Sequence, residues 1–218
     1  MKLEELLPIS WAAYRHNNSK YVKQNGDPIY DGDGNYVGET IANRSLIRNT
    51  IFPDANNPLP LIITNEDKEK ASVTIDILKS LIFKIMCGKA LKFDETLASI
   101  ANKELLTNKD VGIIAFLPSY TETQLAIKEL TSGTDLPQEV GSKVELEINV
   151  LYVSYLEVFG KYSIKAMTSD GKHGIEFLYK DNLTRGSYSI RGKIKSKSEK
   201  NAKLPMNVTR LNYVKVKS

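Results

Sequence analysis

From Arg191 to Lys197 a basic residue stands at every second position, as Arg191, Lys193, Lys195 and Lys197, and Lys200 and Lys203 follow closely. Side chains two apart on a strand share a face, so this spacing lays a row of positive charge along one side of an extended segment. Such a row neutralises phosphates and releases their counterions, an attraction that weakens steeply with salt. Lys161 and Lys165 stand upstream on a second strand-like segment. Stacking rings are the other requirement for gripping a single strand, each base contributing about 1–3 kcal/mol. Tyr155, Phe159 and Tyr179 fall near strand ends and are the stacking candidates. Tyr162, Phe177 and Tyr188 alternate in step with aliphatic residues and are assigned to the core. The plainer reading of the lysine row is a solubilised strand edge that resists edge-to-edge pairing.

No catalytic signature accompanies these residues. The chain lacks G-x-x-x-x-G-K-[ST], G-x-S-x-G, H-E-x-x-H and G-x-G-x-x-G. Cys87 is the one cysteine, which rules out an internal disulfide and a multi-cysteine zinc site, and the two histidines, His16 and His173, lie far apart. Asp31-Gly32-Asp33-Gly34-Asn35 opens like a calcium loop, but Tyr36 stands where Gly is needed and Ala42 where the bidentate Glu belongs. A hairpin turn is the expectation there. The chain therefore reads as a binding protein needing neither metal nor cofactor, with a nuclease assembled from dispersed carboxylates as a third reading.

Charge divides the chain. Its 218 residues carry 30 Lys/Arg and 26 Asp/Glu, a net of +4. Residues 140–218 hold 15 and 7 of these, a net of +8, and residues 1–139 hold 15 and 19, a net of −4. A basic module behind an acidic one points to a polyanion as ligand for the first and leaves the second for protein partners. The longest apolar run, residues 75–87, is interrupted by Asp76, Lys79 and Lys84, and Met1–Pro8 lacks the apolar core of a signal peptide. A cytoplasmic protein is expected.

The elements that must position these residues follow from periodicity and turn chemistry. Asn25-Gly26 and Asp31–Asn35 are turn signals between the strand-like pieces Tyr21–Lys23, Pro28–Tyr30 and Asn35–Val37, which predicts a hairpin or small meander. A short helix is expected near residues 40–48. The spacing predicts a helix over 64–87, with Thr64 as N-cap, Asp67 three residues on, and Ile75, Leu78, Ile82, Ile85 and Met86 inward. A second follows over 94–106 with Leu97, Ile100, Ala101 and Leu105 inward. Residues 111–117 fit either a strand or a helix, and a further helix is expected over 121–130 after Pro118. From Val144 the period changes to two, and five strands follow near residues 144–158, 162–166, 175–179, 188–194 and 206–216. The expected architecture is α+β: a mainly helical domain with an N-terminal β-hairpin over residues 1–135, and a five-stranded β-barrel over 140–218.

Five strands with a long first one resemble the oligonucleotide/oligosaccharide-binding (OB) fold, in which the face of strands two and three and the loops joining strands one–two and four–five hold the ligand. The resemblance places Lys193, Lys195, Lys197, Lys200 and Lys203 at the end of strand four and in the ligand loop after it. OB domains often carry a helix between strands three and four, where Asp181–Arg185 leaves room for a turn only. In composition, small and rich in Asn, Lys and Ile, the chain is similar to replication and recombination accessory proteins of large phages, which would place it in the host cytoplasm. The resemblance implies binding of single-stranded nucleic acid, single-stranded DNA favoured, without strong sequence preference. Single-stranded-DNA-binding proteins of bacteria and phages usually end in an acidic tail that recruits partners. This sequence ends Tyr213-Val214-Lys215-Val216-Lys217-Ser218, so recruitment of replication or recombination proteins would fall to the acidic N-terminal domain. The alternative is a protein-interaction or virion structural component whose barrel docks an acidic protein.

Overall fold

The computed structural model describes residues 1–26, 28–53, 61–88, 92–198 and 207–217. The architecture is α+β, with helices first and a closed, five-stranded mixed barrel last. The chain divides into two units, Met1–Glu122 and Thr123–Ser218.

The first unit is built around a helix that was not among the expected elements, although Leu3, Leu6, Leu7, Trp11 and Tyr14 stand at helical spacing. Helix α1 (Leu3–His16) buries Leu3, Leu6, Leu7, Ile9, Ser10, Trp11, Ala12, Ala13 and Tyr14. Glu4, Glu5, Arg15 and His16 remain exposed at its two ends. The Glu5 carboxylate accepts from the Lys2 backbone N–H at 2.8 Å and so closes its first turn. Strands β1 (Pro28–Tyr30) and β2 (Tyr36–Glu39) form an antiparallel hairpin around Asp31–Asn35. Residues 21–23 form no strand. Helix α2 (Asn43–Ile51) follows. Helix α3 (Asn65–Met86) begins at Thr64 through the expected capping box with Asp67. It buries Ala71, Thr74, Leu78 and Leu81, whereas Met86, assigned inward by spacing, is exposed. Helix α4 (Lys92–Ala101) buries Leu97 and Ile100 and ends before Leu105, which faces solvent.

Residues 111–132 are one helix, α5 (Val111–Ser132), with Pro118 inside it. Proline cannot donate to the carbonyl four residues back. Here that is the carbonyl of Ile114, and the buried Ser10 hydroxyl donates to it at 2.7 Å. The acceptor is satisfied from another helix, and α5 continues through its proline. A second buried network converges on Thr74, whose hydroxyl accepts from Trp11 Nε1 and Thr121 Oγ1, each at 3.0 Å, and donates to the Lys70 carbonyl.

The buried Asp67 carboxylate ties α1 to the start of α3. It accepts from Arg15 Nε and Nη2 at 3.2 and 2.9 Å and from the Thr64 backbone and hydroxyl at 2.8 and 2.9 Å. Burial opposes its ionisation, but the Arg15 hydrogen bond, the Thr64 bonds and the Arg15 charge outweigh that and hold its pKa below the usual value. Asp110 is lowered in the same direction, by Lys103 first and then by Thr107. A depressed folded-state pKa contributes stability above the unfolded value and loses it as pH falls through the folded one. The urea midpoint of this unit, read through the fluorescence of Trp11, the one tryptophan of the chain, is therefore expected to fall below about pH 4. Asp67→Asn should lower the midpoint at pH 7 and flatten that acid limb.

The barrel strands are β3 (Lys143–Leu156), β4 (Lys161–Thr168), β5 (Gly174–Tyr179), β6 (Gly186–Ser196) and β7 (Val208–Val216). They close in the order β3-β4-β5-β7-β6, with β6 returning to β3. All neighbours are antiparallel except β5 and β7, which run parallel. This barrel is compatible with an OB-like fold, and residues 180–185 between β5 and β6 form no helix. Alternation delivers Ile148, Ile164, Phe177, Ile190 and Leu211 to the interior, and Leu136 joins them from the segment after α5. That segment is pinned. Leu136 N–H donates to Thr209 Oγ1 at 2.9 Å, while the Asp135 carboxylate accepts from the Thr209 hydroxyl and from the Ser198 backbone and hydroxyl. Asn207 donates to the carbonyls of Leu130, Thr131 and Gly133, the orphan acceptors at the end of α5.

Among the described residues no helix is long and apolar enough to cross a membrane, and no group of three or more His, Cys, Asp or Glu is placed to hold a metal ion.

Candidate functional site

The barrel seam between β5 and β7 closes and then opens. Pairing runs from Gly174 opposite Val208 to Phe177 opposite Leu211 and stops there. Beyond it the strands bound a cleft of about 700 Å³, lined by Lys161 at the start of β4, by Leu178–Lys180, and by Leu211–Val216. Among the described residues that line it, three are lysines, Lys161, Lys180 and Lys215, and none is acidic. Lys180 lies 3.7 Å from Asp181, an exposed pair of the kind that contributes little. Beyond Phe177 and Leu211 the strand edges facing the cleft have no ladder partner among the described residues.

Tyr213 stands at the mouth of this cleft, 83% exposed. The β6–β7 register passes from Arg191 opposite Lys215 to Lys193 opposite Asn212, so β7 carries one extra residue there. The backbone φ of Tyr213 is +55°, a left-handed conformation that an aromatic residue rarely adopts. A bulge re-aims a side chain and leaves the inserted residue outside the ladder, and here that residue is a tyrosine beside three lysines.

A row of rings adjoins it. Tyr155, Tyr162 and Tyr179 are register partners across β3, β4 and β5. They form the next layer outward from Ile164 and Phe177, which lie in the core, and Val153, which packs against it. Tyr155 and Tyr162 are tilted at 54° with centroids 5.0 Å apart, and Tyr179 meets Phe177 edge-on at 6.3 Å. Tyr155 is 54% exposed. Between β3 and β4 a single 3₁₀ turn, Glu157–Phe159, puts Val158 and Phe159 into solvent at 91% and 62% exposure. Gly160 ends that turn at φ +57°, which a side chain would disfavour.

The predicted residues thus separate into groups. Lys161 and Tyr179 line the cleft, and Tyr155 and Phe159 lie on the tyrosine layer and the adjoining turn. Arg191, Lys193 and Lys195 are exposed on the outer face of β6, where Arg191 lies opposite Lys215. Lys215 therefore joins this row to the cleft. Glu145 tempers the row: Lys217 and Arg191 lie 2.8 and 3.8 Å away and hold its pKa below the usual value, Lys217 first. Lys197 is half-buried, with Nζ 3.5 Å from the Pro137 carbonyl. Lys165 belongs to a different outer row, Tyr152–Lys165–Glu176–Arg210, where it lies 3.9 Å from Glu176 and over the Tyr152 ring. Lys200 and Lys203 lie outside the described residues.

Lys180, Lys215 and Tyr213 were not among the predicted site residues. A signal for the last was present: Leu211 and Val214 are three apart in a strand of period two, which is how an inserted bulge residue reads. No family model, no curated protein and no solved structure matches the chain.

Proposed function

We propose that this chain binds single-stranded nucleic acid, single-stranded DNA favoured, along the β5–β7 cleft and the adjoining outer face of β6. The observation that carries the reading is Tyr213, a ring displaced from its strand by a bulge, unburied, and set among three lysines with no acid among the described lining residues. Phosphates would lie against Lys161, Lys180 and Lys215 and continue along Arg191, Lys193 and Lys195, which span about 13 Å of strand. Bases would stack on Tyr213 and the Tyr155–Phe159 end of the barrel, contacts open to any base because each has a flat face. Buried in a duplex, the bases offer no such face, so a single strand is the better ligand. From its resemblance to phage accessory proteins, a role in DNA replication, recombination or repair is the accompanying proposal.

Fluorescence anisotropy with a labelled oligothymidine and a duplex of equal length tests this. The expected result is micromolar or tighter binding of the single strand at low salt, weaker binding of the duplex, and a loss of affinity linear in log salt. Absence of single-strand binding at low salt overturns the proposal.

A further inference from the structure

The β1–β2 hairpin is the least covered structure in the first unit. Each described residue from Pro28 to Val37 is exposed, including Ile29, Tyr30, Tyr36 and Val37. Its base is tied down by Gly26 N–H to the Thr40 carbonyl and by Ala42 N–H to the Asn25 side chain. Its turn is fixed by the Asp31 carboxylate, which accepts from the backbone N–H groups of Asp33 and Asn35 at 3.0 and 2.8 Å. A two-stranded sheet with apolar residues open to water is marginal by itself, and exposed strands of this kind pair with other chains.

Charge selects the partner. Between Lys23 and Arg44 the sequence carries Asp27, Asp31, Asp33 and Glu39 and no basic residue. Two such hairpins repel one another, so the complement must be basic. The chain itself carries a surface of that chemistry: the barrel cleft, which among the described residues has three lysines, no acid on its lining, and two strand edges without ladder partners. An extended segment added to such an edge gains main-chain hydrogen bonds, while side-chain pockets supply specificity.

We infer that the acidic hairpin of one copy docks in the barrel cleft of a second copy, with Asp33 and Glu39 against Lys180 and Lys215. The contact rests on the reading of that cleft as the ligand site, and it makes self-association and polyanion binding mutually exclusive. Being head-to-tail, it closes into a ring or extends into longer oligomers as concentration rises.

Sedimentation velocity of the whole chain without nucleic acid tests it. The expected result is reversible association in the micromolar range at low salt, dispersed by salt and by a short oligothymidine. Asp33→Lys with Glu39→Lys should weaken association at least tenfold and leave oligonucleotide affinity, measured at nanomolar chain, unchanged. Lys180→Glu with Lys215→Glu should weaken association equally, and mixing the two charge-reversed variants should restore a complex between them. A chain that stays monomeric at 200 μM and low salt (about two hundred times the micromolar scale) overturns the inference, as does association that persists in Asp33→Lys/Glu39→Lys. Either result beside intact oligonucleotide binding leaves the functional reading standing. Association without oligonucleotide binding overturns the functional reading alone.

Discussion

Replacing Lys161, Lys180 and Lys215 together by alanine is expected to lower affinity for oligothymidine roughly a hundredfold at low salt and to flatten the log K against log salt slope by about 2, since each phosphate contact to a single strand adds about 0.7. All three side chains line the cleft. None is part of the barrel core, so the loss should come without a change in thermal unfolding. Lys165→Ala is the contrasting variant, because Lys165 is held beside Glu176 on another face, and it should leave the slope near that of the parent. Tyr213 provides the complementary experiment. Tyr213→Gly removes the ring while relieving a φ of +55°, so stability should rise by about 1 kcal/mol. Affinity should nonetheless fall by about 5- to 150-fold, the range for losing one base–ring stack, with the salt slope unchanged. Binding unaffected by Tyr213→Gly would remove the cleft from the site.

The second large effect is structural. At Gly174 an added Cβ would lie 2.2 Å from the backbone carbonyl oxygen of Asn207 and 3.1 Å from Val208 Cγ1. The Asn207 carbonyl is backbone and cannot move aside as a side-chain tip would. Gly174→Ala should therefore push β5 and β7 apart where their parallel pairing begins, at Gly174 opposite Val208. It would also disturb Asn207, whose side chain closes the end of α5. A cost of about 3 kcal/mol or more is expected, the upper range for overpacking. It should appear as a lower midpoint for the loss of the barrel's β signal in circular dichroism. Gly171→Ala is an informative neighbour: nothing crowds its Cβ, but its φ is +70°, so about 1 kcal/mol is expected there. Equal effects at the two glycines would show that close approach is not what Gly174 provides.

The barrel strands were legible because each has one face in a core and one outside, which writes period two directly into the sequence. Thr64 and Asp67 were legible because capping is local. Most of what escaped depended on partners distant in sequence. Helix α1 was missed although Leu3, Leu6, Leu7, Trp11 and Tyr14 stand at helical spacing, because Pro8 interrupts the run. Pro118 reads as a break until Ser10 is known to supply the missing donor. Met86 and Leu105 satisfy a helical spacing yet sit where no element covers them. The charge of the site was visible, but the cleft was not, because it is made by β5 and β7, strands separated by β6 in the chain. Sequence reasoning consequently placed the basic residues mostly on β6 and in the segment after it, and missed Lys180 and Lys215.

The parallel seam also has a consequence for synthesis. Every other neighbour relation in the barrel is antiparallel, and β3, β4, β5 and β6 can pair as each emerges. The seam has to wait for β7, the last of the five to leave the ribosome, and the threonine that receives Leu136, Thr209, lies on that strand. Until then β5 and β6 present open edges to their surroundings, the state in which nascent β-structure is most prone to stray pairing. The helical unit, whose residues all precede the barrel strands, carries no such dependence. Slow emergence of β7 should thus prolong the exposure of the β5 and β6 edges.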